Sequence, residues 1–326
     1  MPHTFESAFQ GYHGKRVLVT GADGFIGSHL TEKLLDLGAH VTIFVRGTSV
    51  LGTHRNDVKN LAHVLPRLNV IAGNLATHDS IELIRSASPD IILHLAAEAY
   101  VPKSFTQPLD VFAVNLDGTL NVLEAARGLP SVQRMVVTSS SEVYGSYPDP
   151  ISETNLLNPT SPYGASKVAA DRAAYAWHVT WQMPIAIIRP FNTYGPRHTY
   201  DVIPKFIDLA LSGKPLTVHG TGQQSRDFTY VSDTVNGFLL MGIHPKAVGE
   251  VVNFGAGAPV SITDVATKVK ALTGSSSEIV HDMNRLAEVA TLTCNWKKAR
   301  ALFGWSPLVD FEQGLTLNIQ WSKENQ

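Results

Sequence analysis

The sequence has little cysteine and no long apolar segment. Its 326 residues contain one cysteine, Cys294. A single thiol excludes an internal disulfide framework and is typical of a reducing compartment. No stretch approaches the roughly 20 apolar residues that a membrane-spanning helix needs, and residues 1–14 do not resemble a signal peptide. We therefore expect a cytoplasmic protein without a membrane partner.

The chain also lacks an excess of positive charge. Its formal net charge is -2, with 26 Lys and Arg against 28 Asp and Glu. This balance gives no basic surface for nucleic acid, so we expect no nucleic-acid partner. This charge balance is still compatible with a local basic pocket that binds a phosphorylated small molecule. We expect no metal site.

Short apolar segments alternate with amphipathic segments of helical length over the first 190 residues. Continuously apolar or β-branched segments are typical of strands buried on both faces of a parallel sheet. The predicted strands are residues 16–20, 40–45, 69–72, 91–95, 134–139 and 185–189. The predicted helices between them are residues 26–37, 79–86, 108–127 and 163–182. This alternation predicts an α/β protein with a doubly wound parallel sheet.

Prolines and glycines interrupt the pattern after about residue 190. We predict shorter helices at residues 202–211, 232–241, 261–272 and 295–303. The sequence thus predicts a nucleotide-binding domain at residues 1–190, with 1–14 as a loose N-terminal arm. Residues 191–326 would form mainly a smaller α/β substrate-binding lobe over the carboxyl ends of the strands, where ligands bind in such sheets.

A glycine-rich turn follows the first predicted strand and begins the first long helix. Its spacing allows a tight turn, a close approach of backbone to a pyrophosphate and close packing of helix on strand. Strand, turn, helix and second strand follow in the order of a Rossmann-like dinucleotide-binding unit. The predicted cofactor-binding residues of this turn are Gly21, Asp23, Gly24, Phe25, Ile26 and Gly27.

The end of the second strand indicates which dinucleotide binds. A site selective for NAD normally places Asp or Glu there, to accept a hydrogen bond from the ribose. Here Val45 occupies this position, and Arg46 follows it. An arginine suits a 2′-phosphate, so we predict NADP, with NAD as the alternative. Topology places further cofactor contacts after the third and fourth strands, at Asn74, Leu75, Leu95, Ala96 and Ala97.

Tyr163 and Lys167 are four residues apart in a predicted helix, so they share one face of it. The ammonium group can stabilise a phenolate, which acts as a base near neutral pH only if the phenol pKa of about 10 is lowered. Both residues also serve as cofactor contacts in this prediction. Glu142, after the fifth strand, could remove a proton from carbon.

Together these features resemble the extended short-chain dehydrogenase/reductase family, in its branch of nucleotide-sugar epimerases, dehydratases and decarboxylases. The matching motifs lie at residues 20–27, 94–97, 115–119, 163–167, 189–196, 225–231 and 285–288. The resemblance implies a nucleotide-diphosphate-sugar substrate. It implies that Ser140 binds the sugar 4-hydroxyl and that Asn192, Arg226 and Arg285 hold the diphosphate. Glu98, in the loop after the fourth strand, is a further candidate for contact with the sugar.

The residues before Val143-Tyr144-Gly145 distinguish reactions within the branch. A glutamate at position 142 is typical of the 4,6-dehydratases and uronate decarboxylases, whereas simple 4-epimerases carry an uncharged residue. Dehydratases of dTDP-glucose have Asp where this chain has Ser141, so the chain is more similar to the GDP-mannose type. Ser141 or a water would then help to protonate the departing hydroxyl. The alternatives are a 4-epimerase, a UDP-uronate decarboxylase and a non-catalytic NADP-binding regulator.

The predicted helices 108–127 and 163–182 carry apolar residues on more than one face. Two such helices from each subunit can form a four-helix interface. Relatives in the resembled family are commonly dimers of this kind. We therefore expect a homodimer.

Overall fold

The computed structural model describes residues 5–46, 58–283 and 290–325. Its strands are β1 (Arg16–Thr20), β2 (His40–Arg46), β3 (Asn69–Gly73), β4 (Ile91–His94), β5 (Arg134–Thr138), β6 (Ile185–Pro190), β7 (Asn192–Tyr194), β8 (Leu216–His219), β9 (Ser225–Tyr230), β10 (Val251–Phe254), β11 (Pro259–Ser261), β12 (Ile279–Asp282) and β13 (Thr291–Leu292). Its α-helices are α1 (Phe25–Asp36), α2 (Asp79–Ser86), α3 (Val101–Thr106), α4 (Pro108–Phe112), α5 (Gly118–Arg127), α6 (Pro162–Trp181), α7 (Val202–Leu211), α8 (Val231–Ile243), α9 (Ile262–Thr273), α10 (Lys297–Phe303) and α11 (Phe311–Glu324).

A parallel sheet forms the centre of the fold. Within the described residues it has seven strands in the order β10-β6-β5-β4-β1-β2-β3. The strand order reverses at β1, which pairs with β2 on one side and β4 on the other. Such a reversal opens a crevice at the carboxyl ends of the strands, where dinucleotides bind. The predicted Rossmann-like α/β fold is confirmed.

The strands of this sheet have the burial expected of continuous apolar segments. All four residues of β4 and the last four residues of β1 are buried. Helices cover both faces, because α1 and α8 pack on one apolar cluster while α5 and α6 pack on another. Burial on both faces explains why the strands could be recognised without an alternating pattern.

One predicted helix differs from the structure. Residues 108–127 do not form a continuous α-helix, because a five-residue π-helical turn, Ala113–Asp117, separates α4 from α5. Such turns occur mostly as single interruptions of α-helices and are frequent at functional sites. Asn115 in this turn is buried, and its amide donates to the backbone carbonyl of Glu98 and to Ser166 Oγ of α6.

The chain beyond residue 190 contributes to two parts of the molecule. Strand β10 pairs with β6, so the segment from α8 to β10 extends the large sheet. The remaining strands form small sheets, in which β9 pairs with β7, β11 and β13, and β8 pairs with β12. Helices α7, α9 and α11 pack beside them around a separate apolar cluster.

The N-terminal segment is packed from residue 5 onwards. Phe5, Phe9 and Tyr12 are buried, and the Tyr12 hydroxyl donates to the carbonyl of Leu239 in α8 at 2.9 Å. The expectation of a loose arm is therefore wrong for the described part of it, since its aromatic residues complete the core around α8. Among the described helices, none is both long and apolar enough to span a membrane.

Candidate active site

The turn between β1 and α1 requires glycine for steric reasons. Gly21 has a φ of +69°, and a Cβ there would lie 2.7 Å from the backbone nitrogen of Ala96. A Cβ on Gly27 would lie 2.1 Å from the carbonyl oxygen of Gly21. Gly24 is the N-cap of α1 and provides no side-chain cap. Backbone can therefore approach a ligand closely, with the amides of the first helical turn directed toward it.

A cavity of about 580 Å³ extends from this turn along the carboxyl ends of the strands. It is lined by every residue predicted to bind the cofactor, together with four predicted catalytic or substrate residues. These are Gly21, Asp23, Gly24, Phe25, Ile26, Gly27, Arg46, Asn74, Leu75, Leu95, Ala96, Ala97, Tyr163 and Lys167 in the first group, and Ser140, Ser141, Glu142 and Asn192 in the second.

The cradle formed by the glycine turn fits a dinucleotide diphosphate. The exposed side chain of Arg46 at the end of β2 lies at the same cavity and could contact the ribose end of such a ligand. Asp23 holds the segment that follows β2, because it accepts from the backbone amide of Asn60 at 2.9 Å. The cavity is therefore suited in shape and donors to NAD or NADP.

The segment after β5 turns sharply and presents Glu142. Ser140 Oγ accepts a hydrogen bond from the backbone amide of Glu142 at 3.2 Å, and Ser141–Val143 form a single 3₁₀ turn. Ser141 is buried, whereas Glu142 is half-buried and lines the cavity.

Helix α6 positions Tyr163 and Lys167. The hydroxyl of Ser161 caps the helix by accepting from the amide of Gly164 at 3.0 Å, and Pro162 occupies the first helical position. Tyr163 is only 8% exposed and Lys167 only 4%. Both side chains therefore reach the cavity from within the protein.

The electrostatics of this pair differ from the sequence expectation. Burial raises the pKa of Tyr163 well above its ordinary value, although a hydrogen bond with Ser140 opposes this effect. Burial lowers the pKa of Lys167 from 10.5 to about 8, opposed by the charge of Asp171. The Lys167 ammonium donates to the backbone carbonyl of Thr138. In the protein alone the phenol is thus stabilised as the neutral acid, because burial outweighs the favourable contacts.

A buried ionic network supports α6 behind this pair. The guanidinium of Arg189 binds Asp171 through two hydrogen bonds of 2.8 and 3.0 Å, and donates to the Tyr144 hydroxyl at 2.7 Å. Tyr144 in turn donates to Asn253 Oδ1 at 2.8 Å. Bidentate pairing satisfies the buried charges and fixes α6 against β6.

A second cavity of about 510 Å³ lies under the C-terminal lobe. The predicted phosphate-binding residue Arg226 lines it, whereas Arg285 lies outside the described residues. Glu98 is not among the described residues that line either cavity. Its carboxylate instead pairs with Lys103 at 2.6 Å.

The two cavities meet at residues that they share, and we call this place the cavity junction. In the described part of the chain, the shared residues are Val101, Glu142, Asn192, Thr193, His198 and Asp201. The sequence prediction missed His198 and Asp201, as well as Tyr200 beside them. This short polar segment before α7 has no periodicity, so only its position after the motif at 189–196 could have indicated it.

Comparison with known proteins identifies the family. The family model for GDP-mannose 4,6 dehydratase matches residues 18–317. This match covers most of the chain, and the chain belongs to this family of extended short-chain dehydrogenases/reductases acting on nucleotide sugars. The resemblance inferred from the sequence motifs is therefore confirmed.

The names of individual relatives describe different activities. An uncharacterized UDP-glucose epimerase, YtcB, of Bacillus subtilis is 35% identical over 94% of this chain and 97% of its own length. UDP-glucuronic acid decarboxylase 1 of Xenopus tropicalis is 35% identical over 95% of this chain and 72% of its own length.

Solved structures match the fold closely. Epimerase Mth375 from Methanothermobacter thermautotrophicus has a TM-score of 0.91 and 31% identity, covering 100% of this chain and 97% of that one. UDP-glucuronic acid 4-epimerase from Bacillus cereus, in complex with UDP-glucuronic acid and NAD, has a TM-score of 0.87 and 29% identity, covering 95% and 100%. The chain is thus an enzyme of the nucleotide-sugar epimerase and dehydratase family.

Proposed function

We propose that the protein is a nucleotide-sugar 4,6-dehydratase, which converts an NDP-hexose into an NDP-4-keto-6-deoxy sugar. The observation that carries this proposal is the position of Glu142. Its carboxylate lines the cavity junction. Burial is the main cause of the raised pKa of Tyr163, and the charge of Glu142 raises it further. A second acid–base group near the tyrosine is superfluous for simple oxidation and reduction at C4 but necessary for elimination of water.

A nicotinamide dinucleotide suits the first cavity. The glycine turn would hold its diphosphate, Asn74 and Leu75 would contact the adenine half, and Leu95, Ala96 and Ala97 would leave room for the nicotinamide half. When bound, the nicotinamide supplies a hydride acceptor for C4 and a hydride donor for C6. We propose NADP because Arg46 lies at the end of β2. NAD is the alternative, and it is the cofactor bound by the Bacillus cereus neighbour.

Tyr163 performs the first proton transfer in this proposal. It accepts the proton of the sugar 4-hydroxyl, while Ser140 hydrogen-bonds the same oxygen. The positive charges of Lys167 and of an oxidised nicotinamide ring would lower the raised pKa of the phenol enough for this step. The product of oxidation is a 4-ketone, which acidifies the hydrogen on C5.

Glu142 then performs the elimination. Its carboxylate removes the C5 proton, the electron pair forms the C5–C6 double bond, and the C6 hydroxyl departs as water. Ser141, directly beside it, stands where dTDP-glucose dehydratases have an aspartate. It or a bound water would relay to the leaving oxygen the proton that Tyr163 took from the 4-hydroxyl, which regenerates the phenolate. After hydride addition at C6, Glu142 returns a proton to C5.

The second cavity would hold the nucleotide diphosphate. Arg226 lines it, and Asn192 lies at the cavity junction where the diphosphate would meet the sugar. We include Arg285 in this set by its motif alone. The second candidate function is 4-epimerisation, which is the activity printed in the name of the Bacillus cereus neighbour. Decarboxylation of a UDP-uronate is a third, because it begins with the same C4 oxidation.

We also propose that the protein forms a homodimer through α4, α5 and α6. Large apolar side chains are exposed on α4 and α6. They include Leu109, which is 83% exposed, and Tyr175, Val179 and Trp181 of α6, each about half exposed. An apolar surface of this kind is typical of a protein interface. The same face of a second subunit would cover this apolar surface.

Mass spectrometry of products tests the proposed function. The purified protein would be incubated with UDP-, dTDP- and GDP-hexoses and with UDP-glucuronate, with added NAD or NADP. Dehydration predicts a product that lacks one water. An unchanged mass with altered configuration would favour epimerisation, and release of carbon dioxide would favour decarboxylation.

A further inference from the structure

The proposed function places the hexose of the substrate at the cavity junction. The C4 atom of the hexose must reach Tyr163, which lines the first cavity, and the diphosphate must reach Arg226, which lines the second. The hexose connects these two points, so it lies where the cavities meet. The residues that border this place are the ones that can hold it.

Two tyrosines meet across the cavity junction. Tyr200 lines the first cavity and Tyr100 lines the second. Their ring centroids are 5.8 Å apart, and the rings meet edge-to-face at an interplanar angle of 68°. The residues that directly follow them, Val101 and Asp201, both belong to the junction. The pair therefore joins the loop after β4 to the segment before α7 at the expected position of the sugar.

The segment that carries Tyr200 is fixed to α1. The imidazole of His198 stacks on Phe25 at a centroid distance of 4.5 Å and an interplanar angle of 3°. Tyr200 packs edge-on against the same imidazole at 4.8 Å. Arg197 pairs with Glu32, two turns further along α1, at 2.8 Å. Because two turns of one helix hold this segment, the ring of Tyr200 has a defined position.

The loop that carries Tyr100 is fixed from the other side. The carbonyl of Tyr100 accepts from the amide of Lys103 at 3.0 Å, at the start of α3. The Lys103 ammonium pairs with Glu98 at 2.6 Å. The amide of Glu98 donates to Asn115 Oδ1 at 2.7 Å. The buried π-helical turn that contains Asn115 thus holds the loop in which Tyr100 lies.

Both rings are accessible to a ligand. Tyr100 is 45% exposed and Tyr200 is 37% exposed, so neither ring is a core residue. Within the described residues, no hydrogen bond occupies the hydroxyl of Tyr200. Burial and two nearby carboxylates raise the pKa of Tyr200 to about 12, so its phenol keeps the proton and can donate. After burial, Tyr200 adds most to the raised pKa of Tyr163, so the two phenols lie close together.

We propose that Tyr100 and Tyr200 form an aromatic clamp for the hexose of the nucleotide-sugar substrate proposed above, with the Tyr200 hydroxyl donating a hydrogen bond to the sugar. Aromatic rings can pack on the apolar C–H faces of a sugar, while a small number of polar groups fixes its orientation. The clamp acts on the hexose, whereas the nucleoside diphosphate is held further along the second cavity. Its two rings position C4 beside Tyr163.

Calorimetric titration of the full chain loaded with reduced cofactor tests the clamp. Reduced nicotinamide cannot accept a hydride from C4, so the sugar binds without reacting. The matched ligands are UDP-glucose with UDP, dTDP-glucose with dTDP, and GDP-mannose with GDP. The pair with the tightest-binding hexose nucleotide is then used for the variants. If the wild type bound none of the three hexose nucleotides, the inference would be overturned.

Truncation of either ring should affect the sugar and spare the nucleotide. Tyr100→Ala and Tyr200→Ala should each weaken binding of the hexose nucleotide at least about fivefold, and binding of the nucleoside diphosphate less than about twofold. An equal loss for both ligands would show a general distortion of the cavity and overturn the clamp. Unchanged binding of the hexose nucleotide would overturn it as well.

Tyr200→Phe guards against a folding artefact. It keeps the ring and its contact with His198 and removes only the hydroxyl, so binding of the hexose nucleotide should weaken about threefold. Tyr147→Phe is the control, because it removes a phenol hydroxyl outside the described lining of both cavities and should change neither affinity. Equal affinities of Tyr200→Phe and wild type for the hexose nucleotide would refute the proposed hydrogen bond.

The affinities are independent of product identity. Selective loss of hexose binding in the tyrosine variants, without dehydration by the wild type, would refute the proposed function alone. Dehydration by the wild type, with unaffected hexose binding in the variants, would refute the clamp alone.

Discussion

The ammonium group of Lys167 donates a hydrogen bond to the backbone carbonyl of Thr138, the last residue of β5. This contact joins α6 to the carboxyl end of the sheet beside Ser140 and Tyr163. The lysine therefore has a fixed position, and its charge lies in a buried site where desolvation lowers its pKa to about 8.

The buried lysine should make stability depend on pH. Between pH 8 and 10.5 the unfolded chain keeps the Lys167 proton while the folded protein releases it. Because the unfolded state then binds more protons, the free energy of unfolding should rise with pH in this window, by up to about 1.4 kcal/mol per pH unit. Urea unfolding of wild type and Lys167→Met measures this, with Lys33→Met, at an exposed position on α1, as control. Parallel pH curves for all three proteins would contradict the predicted pKa shift.

Glu142→Gln should separate oxidation from elimination. The amide cannot remove the C5 proton, so formation of the 4-keto-6-deoxy product should fall by about 10²- to 10⁴-fold. Oxidation at C4 should persist and can be followed as reduced cofactor by its absorbance. Glu82→Gln, at an exposed position on α2, is the matched control. Dehydration at the wild-type rate in Glu142→Gln would remove Glu142 from the mechanism.

Arg46→Ala should change the cofactor preference. If the guanidinium binds a 2′-phosphate, loss of this charge-assisted contact should raise the dissociation constant of NADPH by about 10- to 100-fold. The dissociation constant of NADH should stay nearly constant, and it serves as the internal control. Fluorescence titration measures both. An equal effect on the two cofactors would contradict the proposed NADP specificity.

The proposed dimer makes a prediction about the exposed faces of α4 and α6. Leu109→Lys combined with Val179→Lys places charge in the proposed interface and should yield monomers in light scattering. Leu156→Lys is the control, because this residue is 78% exposed on a loop outside these helices. A wild-type protein that is monomeric at micromolar concentration would contradict the interface itself.

The large sheet could be predicted from the sequence because its strands are buried on both faces. β1 matches its predicted bounds, and β2 and β5 differ from theirs by one residue. The small strands β7, β11 and β13 have three residues or fewer, too short for any periodicity to be recognised. β10 is also a short apolar strand of the large sheet. It was not predicted, because its four residues follow a long stretch of chain that lies outside this sheet.

The glycine turn of the first cavity could be predicted from the sequence, because the residues of one short motif form it. A Cβ at Gly21 or Gly27 would lie too close to neighbouring backbone, so only glycine fits at these positions. The spacing of the glycines in the sequence therefore indicates the shape of the turn. The substrate half was less predictable. His198 and Asp201 lie at the cavity junction, where a ring stack and an unusual backbone conformation place them, and neither of these can be recognised from composition or spacing. The raised pKa of Tyr163 likewise depends on burial, which emerges only from tertiary packing.

The transfer of hydrogen from C4 to C6 is the central claim of the proposed mechanism. A nucleotide hexose deuterated at C4 would be converted by the purified enzyme and the product examined by NMR and mass spectrometry. Dehydration through Tyr163 and Glu142 predicts a product that lacks one water and carries the deuterium at C6. Deuterium retained at C4 of a sugar with inverted configuration and intact composition would contradict the dehydratase and establish an epimerase.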